Sequence, residues 1–292
     1  MAFATTSDGT KLFYETVGSG TPIVFVHEFG GNHWSWEPQL NYFARRHQCL
    51  TYAARGYAPS DIPADVEKYS QARAADDIIE VMDAAGFERA HIVGLSMGAF
   101  ACLHAALRHP RRILSAVVAG IGYGSEKKHE AYFRVNAQQV AASIERSVER
   151  FAASYAVSAS RVQFQEKDPR GWALFASRLA QHSSVGAANT MRGVQMRRPS
   201  LYDLEAELSA LAAPLLVMCG DEDDHGLLPG MFLKRVVPRS GLCVLPKSGH
   251  TLNLEEPAMF NRLVSEFIAQ VEAGRWERRD PRANSAEIMR AE

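Results

Sequence analysis

The chain has 292 residues, enough to bury a sizeable core as one large α/β domain or as two small ones. Its 47% hydrophobic and 22% charged residues are ordinary for a globular protein, and a formal net charge of −1 gives no electrostatic case for nucleic acid or an anionic membrane as partner. No apolar run approaches the ~18 residues of a membrane span.

Taken in chain order, residues 2–6 and 11–17 flank Asp8-Gly9, a favoured turn pair, and predict an antiparallel hairpin at the start of a sheet. Pro22-Ile23-Val24-Phe25-Val26 is a short continuous apolar run, as expected of a strand covered on both faces. Residues 48–53 form another candidate strand. From 70 to 85 the apolar positions Ala74, Ile78, Val81, Met82 and Ala85 recur at helical spacing, and Gly86 supplies a stop. A strand over 90–93 and a helix over 99–109 enclose Gly94-Leu95-Ser96-Met97-Gly98. Further strands are predicted at 113–119, 215–219 and 242–245, and a last helix at about 257–271. Strands separated by helices argue for a mostly parallel sheet with helices on both faces.

Residues 122–213 read as helical throughout, with one amphipathic face at Ile144, Val148, Phe151 and Ala152 and another at Trp172, Leu174, Phe175 and Leu179. An insertion this long between two strands of one sheet is expected to form a helical cap that walls a pocket. The core then comprises residues 1–121 and 214–273, and the charged stretch 274–292 is a peripheral or mobile tail. The opening residues lack the basic and then apolar regions of a signal peptide, so a cytoplasmic location is expected. Cys49, Cys102, Cys219 and Cys243 lie in apolar segments without metal-ligand spacing, which predicts buried thiols and neither a zinc site nor a disulfide framework.

A strand, a sharp turn and a helix with Ser96 at the apex is the geometry that exposes a nucleophilic hydroxyl. A glycine-containing pentapeptide arises by chance too readily to stand alone, so a base, an acid and oxyanion donors must fall in matching places. They do. Asp221, Glu222, Asp223 and Asp224 follow the strand at 215–219, and His250 lies in a loop after the strand at 242–245. Functional groups in open α/β sheets sit at these carboxyl ends. His250 is the expected base; Asp223 is the preferred acid, with Asp224 and Asp221 as alternatives. The Met97 N–H, at the start of a helix, and the Phe29 N–H, in His27-Glu28-Phe29-Gly30-Gly31, are the candidate oxyanion donors.

Together with Arg55-Gly56-Tyr57-x-x-Ser60-Asp61 and Ser248-Gly249-His250, these motifs resemble the α/β-hydrolase superfamily, in particular its single-domain, cap-bearing esterases, lactonases, C–C hydrolases and cofactor-free haloperoxidases. The resemblance spans residue 11 to about 269. It implies about eight strands with only the second antiparallel, a helical cap inserted after the sixth strand, and the last aspartate of Gly220-Asp221-Glu222-Asp223 in the triad.

One departure is Glu28, where the family usually has glycine. It is expected to be a solvated loop residue, to pair with a basic group, or to face the pocket and disfavour anionic substrates. His27 is expected to order the oxyanion loop, and Arg55 to brace its own. His33 and Trp34 line the pocket or anchor packing, Tyr123 and Trp172 reach the cleft or belong to the core, and His225, close to the acidic run, either competes with His250 or, as its position before a helix favours, has a loop or capping role. The expected activity is hydrolysis of a small to medium carboxylic ester or lactone through an acyl-enzyme on Ser96, with no metal or organic cofactor. Three readings share these residues: C–C cleavage of a vinylogous diketone, cofactor-free perhydrolysis or haloperoxidation, and a small-molecule receptor. The expected partner is a small-molecule substrate, and the residues do not distinguish monomer from homodimer.

Overall fold

The computed structural model describes residues 2–284. Strands β1 (Ala2–Thr5), β2 (Lys11–Val17), β3 (Pro22–Val26), β4 (Gln48–Tyr52), β5 (Ala90–Leu95), β6 (Ile113–Ala119), β7 (Leu215–Gly220) and β8 (Ser240–Leu245) form one sheet, in the order β1-β2-β4-β3-β5-β6-β7-β8. Only β2 runs against the rest, pairing antiparallel with β1 and β4. β5, β7 and β8 extend beyond the predicted strands because neighbouring backbone, not residue propensity, sets their ends: Gly94 and Leu95 still pair with Val118 and Ala119 of β6.

Helices α1 (Glu37–Phe43), α2 (Gln71–Ala84) and α3 (Met97–Arg108) follow β3, β4 and β5. Between β6 and β7 come α4 (Glu130–Arg146), α5 (Val148–Ala156), α6 (Val162–Lys167), α7 (Pro169–Leu179), α8 (Ser184–Asn189) and α9 (Glu205–Ser209), with no strand among them. Helix α10 (Asp224–Val236) joins β7 to β8, and α11 (Leu252–Glu255) and α12 (Pro257–Glu272) follow β8.

The continuous apolar runs have a simple cause. Successive side chains point to opposite faces, so Val24 and Val26 meet Ile78, Met82 and Phe100 of α2 and α3, while Ile23 and Phe25 meet Phe43 of α1 and Phe260 and Phe267 of α12. Each such fully buried side chain stabilises the fold by about 1.5–3 kcal/mol. Helix α2 buries Ala75 and Ile79 as well as the predicted Ile78, Val81 and Met82, while Ala74 and Ala85 are only partly covered. It also buries Asp77, which takes the Arg55 guanidinium at 2.7 Å on each oxygen.

Two expectations for residues 122–213 are corrected. The predicted face over Ile144 to Ala152 belongs to two helices, because Ser147 caps α5 by accepting from the Arg150 N–H at 3.2 Å and ends α4 there. Leu174 is half exposed, while Phe175 and Leu179 are buried. The backbone then widens into a π-helical turn at Thr190–Gln195. This segment presses on the sheet's loops: a Cβ at Gly186 would lie 2.0 Å from Gly56 O.

The start of the predicted tail is anchored. Trp276 donates to Arg239 O at 2.9 Å, its own carbonyl accepts from the Arg239 guanidinium, and its ring lies over Gly241 of β8. Residues 285–292 of that tail lie outside the described residues. Cys49, Cys102 and Cys219 are buried and Cys243 half-buried, all as free thiols. No helix among the described residues is long and apolar enough to cross a membrane.

Candidate active site

Ser96 stands between β5 and α3 with φ +53° and ψ −114°, a left-handed conformation costly to any residue but glycine. The flanking glycines are required by close approach. A Cβ at Gly94 would lie 2.3 Å from Gly98 O, and one at Gly98 would lie 2.0 Å from Val26 O. The turn is therefore packed backbone to backbone against itself and against the end of β3.

The loops after β7 and β8 cross in the same manner. A Cβ at Gly220 would lie 2.0 Å from Ser248 O, and the Glu222 N–H donates to that carbonyl at 3.0 Å. This crossing brings Asp223 Oδ2 to 2.8 Å from His250 Nδ1, with both side chains buried. Burial by itself raises the Asp223 carboxyl. The charge and hydrogen bond of His250, with the charges of His225 and Arg161, outweigh it and hold the group below the usual carboxylate range. The other acids of the run have different partners: Asp221 accepts from the Ser248 N–H at 3.2 Å, Glu222 pairs with Lys247 at 3.1 Å, and Asp224 is exposed in the first turn of α10.

Glu255 was not singled out from the sequence. Its buried carboxylate accepts from the N–H groups of Gly249 and Thr251 and from the Thr251 hydroxyl. Gly120, at φ +57°, leaves room for the imidazole: a Cβ there would lie 3.3 Å from His250 Nδ1.

The Phe29 and Met97 N–H groups have no acceptor among the described residues. The loop carrying Phe29 is held from behind. His27 Nε2 accepts from the Ala54 N–H at 3.1 Å, so Nδ1 carries the proton and donates to Glu28 O at 2.8 Å. Burial lowers this imidazole to about 3, so the ring is neutral. Tyr57 Oη donates to Phe29 O at 2.9 Å.

Ser96, Phe29, Asp223 and His250 line one cavity of about 320 Å³. Phe133, Val140, Phe151, Tyr155 and Met191, from the helices between β6 and β7, form an apolar wall, while Asn136, Gln195 and Arg198 add polar groups.

The chain matches the family model for the alpha/beta hydrolase fold over residues 21–257, well over half its length. It belongs to the alpha/beta hydrolase family. It is 25% identical over 251 residues to 3-oxoadipate enol-lactonase 1 of Acinetobacter baylyi, covering 86% of this chain and 89% of that protein. It is similar to a hydrolase from Pseudomonas aeruginosa PA01, with a TM-score of 0.81 and 25% identity over 91% of this chain and 97% of that one. It is also similar to Est816, described as an N-acyl homoserine lactone degrading enzyme, with a TM-score of 0.72 and 26% identity over 91% of this chain and all of the other.

Within this hydrolase the predicted pocket residues divide. Tyr123 lines the cavity, and so does His225, whose ring packs 4.8 Å from that of Tyr123 rather than serving only the loop. His33, Trp34 and Trp172 do not line it. The His33 ring packs on Phe13, Arg178 stacks over Trp34 at 4.5 Å, and Trp172 turns its N–H to Ala156 O at 2.7 Å. Glu28 is neither solvated, nor salt-bridged, nor in the cavity. Its side chain lies against Gly31 of the Phe29 loop, with both carboxylate oxygens buried and without a hydrogen-bond partner among the described residues, and burial raises its pKa. Arg55 braces its loop through Asp77, Asp8 and Lys68 O.

Proposed function

We propose that this hydrolase cleaves a small carboxylic ester or lactone through an acyl-enzyme on Ser96. The observation that carries the reading is that Ser96, at its strained turn, opens on the same cavity as His250, whose Nδ1 is 2.8 Å from Asp223. Asp223 accepts a hydrogen bond from Nδ1–H, which keeps the proton on that nitrogen and leaves Nε2 free to act as base. Ser96 Oγ attacks the carbonyl carbon as His250 takes its proton, and the Phe29 and Met97 N–H groups, which have no acceptor among the described residues, bind the developing oxyanion. Collapse of the tetrahedral intermediate breaks the C–O bond and His250 returns the proton to the departing alcohol oxygen. Water then repeats the sequence on the acyl-enzyme and releases the carboxylic acid and free Ser96.

In this reading residues 122–213 act as the cap over a core of residues 1–121 and 214–273, and their side chains select the substrate. The test is a panel of ester chain lengths and lactones assayed with the wild type, Ser96→Ala and Asp223→Asn. Ser96→Ala should lose activity by a factor on the order of 10⁶ and Asp223→Asn by about 10⁴. An active Ser96→Ala protein would remove the mechanism altogether.

A further inference from the structure

Arg198 follows the π-helical turn, and its side chain is buried on the wall of the Ser96 cavity. Its guanidinium lies 3.7 Å from the Phe100 ring centroid and 5.2 Å from that of Phe133. It donates to Gln195 Oε1 and Tyr123 O, two neutral acceptors, and makes no other side-chain hydrogen bond among the described residues. No Asp or Glu among the described residues is within 4.0 Å of it, whereas buried Arg55 has both Asp77 and Asp8. Burial lowers the Arg198 group to about 9, which leaves it cationic at neutral pH.

A buried cation without a counter-ion is costly, and proteins ordinarily pair one. Here the unpaired charge faces a cavity that also holds the candidate nucleophile. A ligand that brings a single negative charge would neutralise it, and a planar carboxylate matches the guanidinium fork. A phosphate dianion would leave one charge uncompensated in the same cavity. The wall formed by Phe133, Val140, Phe151, Tyr155 and Met191 suits a short carbon skeleton, and about 320 Å³ is at the small end for ligand sites.

We infer that the cavity takes a substrate with a free carboxylate, held by Arg198, and a scissile carbonyl presented to Ser96. This inference rests on the serine-hydrolase reading for what happens at the carbonyl. The chemical class is a monoester of a short dicarboxylic acid, or a lactone with a carboxylate substituent. It reverses the expectation that Glu28 disfavours anions, since Glu28 does not face the cavity and Arg198 does.

Binding tests it separately from turnover. Monomethyl glutarate and dimethyl glutarate are titrated into Ser96→Ala by calorimetry and compared with Ser96→Ala/Arg198→Gln, folding of each being checked by circular dichroism. The monoanion should bind at least tenfold tighter than the diester to Ser96→Ala, and the second substitution should bring the ratio toward one. Equal affinities in Ser96→Ala, or a ratio that survives loss of Arg198, overturn the inference. Should the Gln variant not fold, Arg198→Lys replaces it, with a ratio reduced but above one expected and an undiminished ratio overturning the assignment. Failure of the wild type to hydrolyse monomethyl glutarate, with the binding preference intact, would count against the serine-hydrolase reading and leave the carboxylate site standing.

Discussion

Glu255 accepts a hydrogen bond from the Gly249 N–H at 2.6 Å, and its other oxygen takes the Thr251 N–H at 2.8 Å. One buried carboxylate thus grips the backbone on both sides of His250. Glu255→Gln keeps the volume but turns an NH₂ donor toward a backbone N–H. Because a displacement near 1 Å can cost about 10²-fold in rate, kcat should fall by about that factor with KM within about threefold of wild type. A fall in thermal stability with kcat per folded molecule unchanged would show that Glu255 only supports the fold.

Arg55 holds α2, the loop after β4 and the first hairpin together through Asp77, Asp8 and Lys68 O. Arg55→Met would leave the buried Asp77 with Arg73 as its one remaining cation and Asp8 with Lys68, and should cost about 2–3 kcal/mol in urea unfolding, less than the loss of a sole partner. Activity per folded molecule should stay within about twofold. A loss of substrate affinity with unchanged stability would point instead to a substrate-binding role.

His27, His104 and His182 are held neutral by burial, at about 3, 4 and 4. In the unfolded chain they take up protons below about 6.5. Between about pH 6.5 and 4 the unfolded state binds more protons than the folded one, so each lowers stability as pH falls, by up to about 1.4 kcal/mol per pH unit. His182→Gln should flatten the dependence of urea unfolding free energy on pH across that window. Parallel wild-type and variant curves would refute the assignment.

Glu28 runs the opposite way, because burial raises its pKa. Above about pH 4.3 the unfolded chain ionises this group while the folded protein resists, so its contribution to stability declines as pH rises. Relative to wild type, Glu28→Gln should therefore gain stability from pH 5 to pH 8. A constant difference over that range would mean that the carboxyl is ionised in the folded state.

Much of this architecture is legible in the sequence because it follows from local physics. Continuous apolar runs mark strands covered on both faces, and Gly94 and Gly98 mark a turn where backbone must touch backbone. Ser96, the acidic run and His250 fall at strand ends in the predicted order. Legibility stops where orientation depends on distant partners. Trp172 and Tyr123 are both aromatic residues of the inserted segment, yet only Tyr123 meets the cavity, because Trp172 finds the Ala156 carbonyl. Arg198 carries no sequence signal at all, since its significance lies in the carboxylates that are not beside it. The π-helical turn that precedes it is likewise set by packing against Tyr69: a Cβ at Gly193 would lie 2.4 Å from Tyr69 O.

The contact of Gly98 with the Val26 carbonyl has an evolutionary consequence. It ties the Met97 amide to the strand that leads into the Phe29 loop without using a single side chain, so the spacing of the Met97 and Phe29 amides is insensitive to what lines the rest of the cavity. Wall residues such as Val140, Phe151 and Met191 belong to separate helices and can be exchanged one at a time. Variation in specificity in such a molecule can proceed in the inserted helices while the strand-borne apparatus stays unaltered.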